Sequence, residues 1–210
     1  MRNKNNNVTY WNTYKAHVRG VILQAVENDS KDISYWRNEI FLNILIYITP
    51  LSIIALIPGV YIAFSDGPAF IGIVDLLAFM LLVLLLTRRN MTLQFRKSVF
   101  IFIFYLLAIT LIYYLSNMGP GLLFLLAITI ITSIVSSSSA GYYSAFVNTL
   151  ICGGFGMLYY LGIRTSVATD YSLGSWIAVT SNLVLLSFAC AKCMDLLFVG
   201  LASSLLENKE

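Results

Sequence analysis

The chain is predicted to be an all-α, polytopic membrane protein, with six transmembrane helices arranged as three helical hairpins. Three observations predict this class. Of its 210 residues, 59% are hydrophobic and 11% charged, whereas soluble domains carry about 25% charged residues. Six apolar runs fill residues 40 to 200, and each approaches the roughly 20 residues needed to cross a hydrocarbon core of about 30 Å. The basic residues collect almost entirely on one side of those runs. Lipid permits such a pattern, because the outside of a bundle can then be as apolar as its inside.

Residues 1–39 form a polar N-terminal segment, Asn-rich at Asn3, Asn5, Asn6 and Asn7, where a disordered tip is expected. It does not read as a cleavable signal peptide. Within it, Trp11, Tyr14, Val18, Val21, Ile22 and Ala25 recur at helical spacing, with Lys15 and Arg19 pointing elsewhere. That is an amphipathic helix suited to lying on the inner membrane surface or to meeting a partner.

The first crossing is read over Ile40–Phe64, entered through Trp36, Arg37 and Glu39 and holding Pro50 and Pro58. The second runs over Ala69–Thr87 and the third over Ser98–Ser116. The fourth, Gly121–Val135, is the shortest and ends in Ser136 to Ser139, which with Ser133 either line a polar pocket near the inner face or, the preferred reading, bond back to its last carbonyls. The fifth covers Tyr142–Ile163, where Gly153, Gly154 and Gly156 would permit close helix approach. The sixth covers Ser175–Asp195. Gly67-Pro68 and Gly119-Pro120 each suit a tight hairpin turn with Pro starting the next helix, and Asp170 to Gly174 falls at a similar interval. Residues 40–195 therefore form the membrane module, and 196–210 a cytoplasmic exit helix.

Orientation follows from charge. Arg2, Lys4, Lys15, Arg19, Lys31 and Arg37 precede the first crossing, while Arg88, Arg89, Arg96 and Lys97 lie between the second and third. Lys209 follows the last crossing, and the opposite side holds Arg164 against Asp66 and Asp170. The positive-inside rule places both termini and the 88–97 connection on the cytoplasmic side of the membrane. The exit segment carries Met194, Phe198, Leu201 and Leu205 at steps of 4, 3 and 4. That is the spacing of a heptad seam, which reads either as the start of a helix that pairs in a homodimer and carries signal output through Leu201 and Leu205 or as an ordinary frayed C-terminal helix, two heptads being too few to decide.

Few polar groups remain inside the apolar runs. Asp75 lies about six residues into the second crossing, roughly 9 Å deep at 1.5 Å per residue. A carboxylate at that depth must face the interior, take a proton or find a partner. Asn182 lies at similar depth in the sixth crossing and would meet Asp75 if the two helices were adjacent. Asn148 and Asn43 lie nearer the inner face and read as packing residues. Lys192 and Asp195, at i and i+3, are expected to snorkel to the interface or to pair with each other. Cys190-Ala191-Lys192-Cys193 has the C-x-x-C spacing, but a position near a helix C-terminus disfavours thiolate, so both read as small packing residues. The single histidine, His17, excludes sites built from several imidazoles. No catalytic residue, metal ligand or cofactor is expected, and no nucleic-acid surface.

Tyr35-Trp36-Arg37-Asn38-Glu39-Ile40-Phe41, Ile73-Val74-Asp75, Gly119-Pro120-Gly121 with Leu122-Leu123-Phe124, Ser175-Trp176 through Asn182, and Val199-Gly200-Leu201 followed by Ser204 to Glu210 occur in this order along the chain. Over about residues 35–210 the chain thereby resembles the N-terminal six-helix transmembrane sensor region of bacterial, Bacteroidetes-type sensor histidine kinases. The Cys190/Cys193 pair and the long polar N-terminus depart from that pattern. The resemblance implies a sensory module of a two-component system, with Asp75, Asn182 and Trp176 as candidate sensing residues and the lipid bilayer, a second copy and cytoplasmic kinase domains as partners. The 210 residues carry no kinase motifs of their own. The competing reading is a small-molecule-binding transporter subunit of the vitamin-transporter type. Short outer turns near 65–68 and 117–120 count against it, and an intramembrane enzyme ranks below both.

Overall fold

A computed structural model of the protein describes residues 4–23, 33–65, 67–115, 120–162 and 173–207. They form seven helices: α1 Lys4–Leu23, α2 Ile33–Ser65, α3 Ala69–Thr87, α4 Leu93–Leu115, α5 Gly121–Val135, α6 Ser138–Tyr160 and α7 Leu173–Glu207. α2, α3, α4 and α7 are each long and apolar enough to cross a membrane. Leu51, Ile54, Ile57 and Tyr61 on α2, with Leu185 and Leu197 on α7, are exposed on the outside of the bundle. An apolar exterior of this kind is a lipid-facing surface, and the protein is a multi-pass membrane protein.

Successive helices from α2 onward alternate in direction. At one end of the bundle the start of α4 meets the end of α5 through Lys97 and Val135. At the other, the start of α5 meets the last turns of α4, where a Cβ on Gly121 would stand 2.9 Å from the Ala108 carbonyl oxygen. Likewise Trp176, at the start of α7, meets Cys152 and Gly156 late in α6. α5 is the central helix, packed against α2, α4, α6 and α7. Its 15 residues span about 22 Å at 1.5 Å per residue, short of a bilayer core, and its first and last residues, Gly121 and Val135, are buried in the bundle.

Several helix limits differ from those read in the sequence. α2 starts at Ile33, seven residues before the apolar run, because Arg37 and Asn38 are held by other helices and continue the turn inward. α6 ends at Tyr160 rather than Ile163, since Gly162 adopts φ +70 and its N–H returns to Tyr159 O at 3.1 Å. α7 joins residues 175–195 and the stretch that follows them into one uninterrupted helix of 35 residues. Pro68 and Pro120 stand immediately before α3 and α5, as Pro at a helix start should.

Two apolar cores stack along the bundle. Phe41, Leu45, Leu85, Phe100 and Ile103 centre one, and Ile112, Leu125, Phe155 and Trp176 the other. Phe104 packs against both, with its ring 4.8 Å from Phe100 and 5.7 Å from Phe124. α1 docks on the first core through buried Val18, Val21 and Ile22. Its Trp11 ring meets Tyr47, and Tyr14 donates to Ile46 O at 3.3 Å. That carbonyl is free because Pro50, four residues on, has no N–H to offer it. Burial raises the pKa of the Tyr14 phenol and keeps it a donor. α1 thus packs on the bundle, and it begins at Lys4, so Asn5 to Asn7, expected as a disordered tip, are helical. Arg2, Asn3, Ala25, Lys31, Asp66, Gly119, Arg164, Asp170 and Lys209 lie outside the described residues, as does the side chain of Leu205.

Candidate functional site

Four helices meet at the end of α5. A helix leaves its last carbonyls without intrahelical partners, and here every one of them is accounted for. Thr132 O accepts the Ser136 N–H at 3.0 Å. Arg37 Nη1, from the first turns of α2, donates to Ser133 O at 2.7 Å and to Ile134 O at 3.3 Å. Lys97 Nζ, from the first turns of α4, donates to Val135 O at 2.7 Å and to Asn38 Oδ1 at 2.8 Å. Both cations are buried, at 8% and 5% exposure. The ion pairs among the described residues are Arg19–Glu39 and Lys192–Asp195, so neither cation is neutralised by a carboxylate there. Their counter-charge is the negative end of the α5 dipole, an arrangement worth up to about 2 kcal/mol per cation when partly buried.

The Arg37 guanidinium has a second contact. Its central carbon lies 3.9 Å from the centroid of the Phe198 ring on α7. One side chain therefore touches the end of α5, the start of α2 that carries it, and the segment of α7 that leaves the bundle. Arg96 holds the neighbouring α3–α4 turn, donating to the carbonyls of Leu85, Arg88 and Met91.

Deeper in the bundle, α4, α5 and α6 share a polar seam. Asn148 Nδ2 donates to Leu125 O and Thr129 Oγ1, both at 2.8 Å. Ser144 Oγ lies 3.0 Å from the Tyr105 hydroxyl and 3.4 Å from Thr129 Oγ1. Ser133 Oγ returns to Thr129 O at 2.8 Å, the back-bonding expected of it, while Ser137 instead caps α6 by accepting from Ala140 N. Gly141 lets α6 approach here, since an added Cβ would stand 1.9 Å from Ser133 Oγ. Asn148 Oδ1, Thr132 Oγ1 and Ser187 Oγ are buried without partners. No cluster of three or more His, Cys, Asp or Glu able to hold a metal occurs among the described residues. The arrangement is mechanical: it fixes helix ends and helix register.

A protein-family model for MASE11 matches residues 35–201 of this chain. The chain belongs to the MASE11 family, a family of membrane-associated sensor domains. No curated protein and no solved structure matches it. The MASE11 match opens two residues before Arg37 and closes three after Phe198, taking in Lys97 and α5 but not α1.

Within the MASE11 region the sequence-predicted site residues fall apart from one another. Asp75 is half-buried on α3 and faces α2, where a Cβ on Gly59 would meet its Oδ2 at 3.4 Å. Asn182 is exposed on α7 and donates to Ala178 O of its own helix at 2.8 Å. α3 and α7 share no more than marginal contact, so the helices that would bring Asp75 and Asn182 together are not neighbours. Trp176 is buried, donates Nε1–H to Cys152 O at 3.1 Å and packs its ring on Tyr159. Leu201 is exposed, and Leu205 follows it on α7. Of the candidate glycines, only Gly156 sits against a neighbour, the Trp176 indole, while Gly153 and Gly154 face open space. Cys152 is buried, Cys190 half-buried and Cys193 exposed, so Cys193 does not pack as expected. Lys192 and Asp195 pair at 3.5 Å, one of the two arrangements expected of them.

Sequence reasoning ranks Asn182 above Asn148, and the burial is the reverse. Depth is legible from position along a run, but the face is set by neighbours, and Asn148 faces α5. In the sequence Arg37 and Lys97 read only as topology signals. Their placement at the first turns of α2 and α4, level with a helix end whose carbonyls need donors, is the signal that distinguishes them.

Proposed function

We propose that this MASE11 chain is the transmembrane sensory module of a two-component sensor histidine kinase, with six crossings, both termini cytoplasmic and α7 as its output. The observation that carries the reading is α7 itself. Its 35 unbroken residues reach about 52 Å at 1.5 Å per residue, against a core of about 30 Å. A rigid rod that begins among buried Trp176 and Leu183 and continues past Phe198 transmits displacement or rotation from bundle to cytoplasm. The one-sided charge supports a cytoplasmic exit, because Arg37, Arg88, Arg89, Arg96 and Lys97 all stand at the end where α7 leaves. The bundle end at which α2 starts and α7 leaves is then the inner face. Heptad spacing from Met194 supports pairing of two α7 helices in a homodimer.

In this reading the input lies in the outer half, where Asp75 and the α6–α7 contact of Trp176 are the sensing candidates. The test joins the chain through α7 to a histidine kinase and measures autophosphorylation in membrane vesicles. One residue inserted after Leu201 rotates everything beyond it by about 100° and should change output at least severalfold, while seven inserted residues restore register. Equal output from both insertions sinks the proposal. Asp75→Asn and Asn182→Ala, assayed likewise, decide the input: signalling intact in both removes that site.

A further inference from the structure

α7 presents one stripe both to the bundle and to the cytoplasm. Trp176, Thr180, Leu183, Ser187 and Ala191 are its buried residues inside the bundle. At 3.6 residues per turn, the positions from 176 through 187 and 191 to 198 and 201 stay within a sector of about 80°. The helix has no break across this stretch. The heptad seam that would pair two exit helices is therefore the continuation of the face packed against α5 and α6, and the Phe198 ring on that seam is already occupied by the Arg37 guanidinium at 3.9 Å.

We infer that Arg37 is an autoinhibitory clasp: its contact with Phe198 and pairing of the exit-helix seam in a dimer exclude each other. A coiled-coil knob inserts into a hole lined by the facing helix, and a ring face covered by a guanidinium cannot also line that hole. Arg37 is fixed on its other side by Ser133 O and Ile134 O, so α7 is held in the clasped state by the same carbonyls that end α5. Any shift of α5 against α2 that draws Arg37 from the ring frees the seam. The end of α5 and the exit segment of α7 are thus coupled through a single side chain that touches both. The inference rests on the sensory reading for its purpose, but the exclusion is a physical property of the chain alone.

The test uses the full chain in lipid nanodiscs prepared with two copies each, with Cys190→Ala and Cys193→Ala as background. Leu201→Cys reports pairing of the seam by oxidative disulfide yield, and Val199→Cys, about 100° round the helix from Phe198 and about 160° from Leu201, reports random collision. Phe198→Leu keeps an apolar seam residue but removes the ring, and Arg37→Gln keeps an amide donor but removes the cation. Each should raise the yield at 201 about three- to thirtyfold, the weight of a cation–π contact in an equilibrium, with little change at 199. Phe198→Trp, which retains a ring, should stay at the parent yield. Because Phe198 bonds nothing in α5, Phe198→Leu keeps the test valid even if Arg37→Gln fails to fold. An unchanged yield at 201 in Phe198→Leu, or an equal rise at 199, overturns the clasp. If the yield at 201 rises while autophosphorylation of a joined kinase does not respond, the clasp stands and the sensory reading is what fails.

Discussion

Gly141→Ala should destabilise the bundle at the α5–α6 crossing that positions the end of α5. The added Cβ would stand 1.9 Å from Ser133 Oγ, 2.9 Å from Ser133 Cβ and 3.3 Å from Ser133 Cα. Rotating the hydroxyl away removes the first clash and breaks its bond to Thr129 O, at about 0.5–1.5 kcal/mol. The close approaches to the two Ser133 carbons remain, so the helices must also separate by several tenths of an ångström. Overpacking of that kind costs about 1–3 kcal/mol. The two sum to roughly 2–4 kcal/mol, read from unfolding in mixed micelles followed by tryptophan fluorescence. Ser133→Gly removes every side-chain atom in the clash and by itself costs about 1 kcal/mol of helix propensity plus the lost bond. In the double variant the overpacking term disappears, so the cycle should show a coupling of about 1–3 kcal/mol between the sites. A Gly141→Ala protein as stable as the parent, or strictly additive variants, would refute the close approach and with it the seating of α5.

Asn148 should respond to chemistry more than to size. Asn148→Leu removes two donors' bonds together with the unpartnered Oδ1, and should cost about 1 kcal/mol or less, as membrane asparagines do; Asn148→Asp turns an acceptor toward Leu125 O and should cost about 1–3 kcal/mol more by the same unfolding assay. Asn182→Leu, on an exposed face, should change stability by less than about 0.5 kcal/mol. Arg37→Met leaves Ser133 O and Ile134 O without their buried donor and should lower stability by about 2–4 kcal/mol in the same titration, with Arg37→Lys intermediate. Labelling by a small membrane-permeant thiol reagent should follow exposure, Cys193 fastest, Cys190 next and Cys152 slowest; rapid modification of Cys152 in the folded protein would contradict its burial.

The helices were legible because hydropathy is a property of contiguous residues. α3 and α5 have the limits read from the sequence, Ala69–Thr87 and Gly121–Val135, since Pro68 and Pro120 mark their starts chemically. The heptad spacing from Met194 likewise anticipated a helix continuing beyond Asp195. Where polar residues lay at the margins, the reading stopped short. α2 begins seven residues earlier than its apolar run because Arg37 and Asn38 find partners on α5 and α4, and no local pattern encodes a bond across 96 residues. The sites were less legible still. Asp75 and Asn182 share a depth, which sequence position gives, but not a neighbour, which only the packing order gives.

By itself, then, the sequence determined that the protein is an all-α membrane protein whose cations collect almost entirely at one end of its apolar runs and whose last helix carries a continuing heptad spacing. Each follows from composition and periodicity, quantities that survive without knowing what lies across a gap. The tertiary structure alone decided that α5 is central, that Asn148 rather than Asn182 is buried, and that Arg37 bridges the end of α5 to Phe198. These depend on which face of each helix meets which neighbour. In lipid, hydropathy cannot report that choice, because the inside and the outside of the bundle are equally apolar.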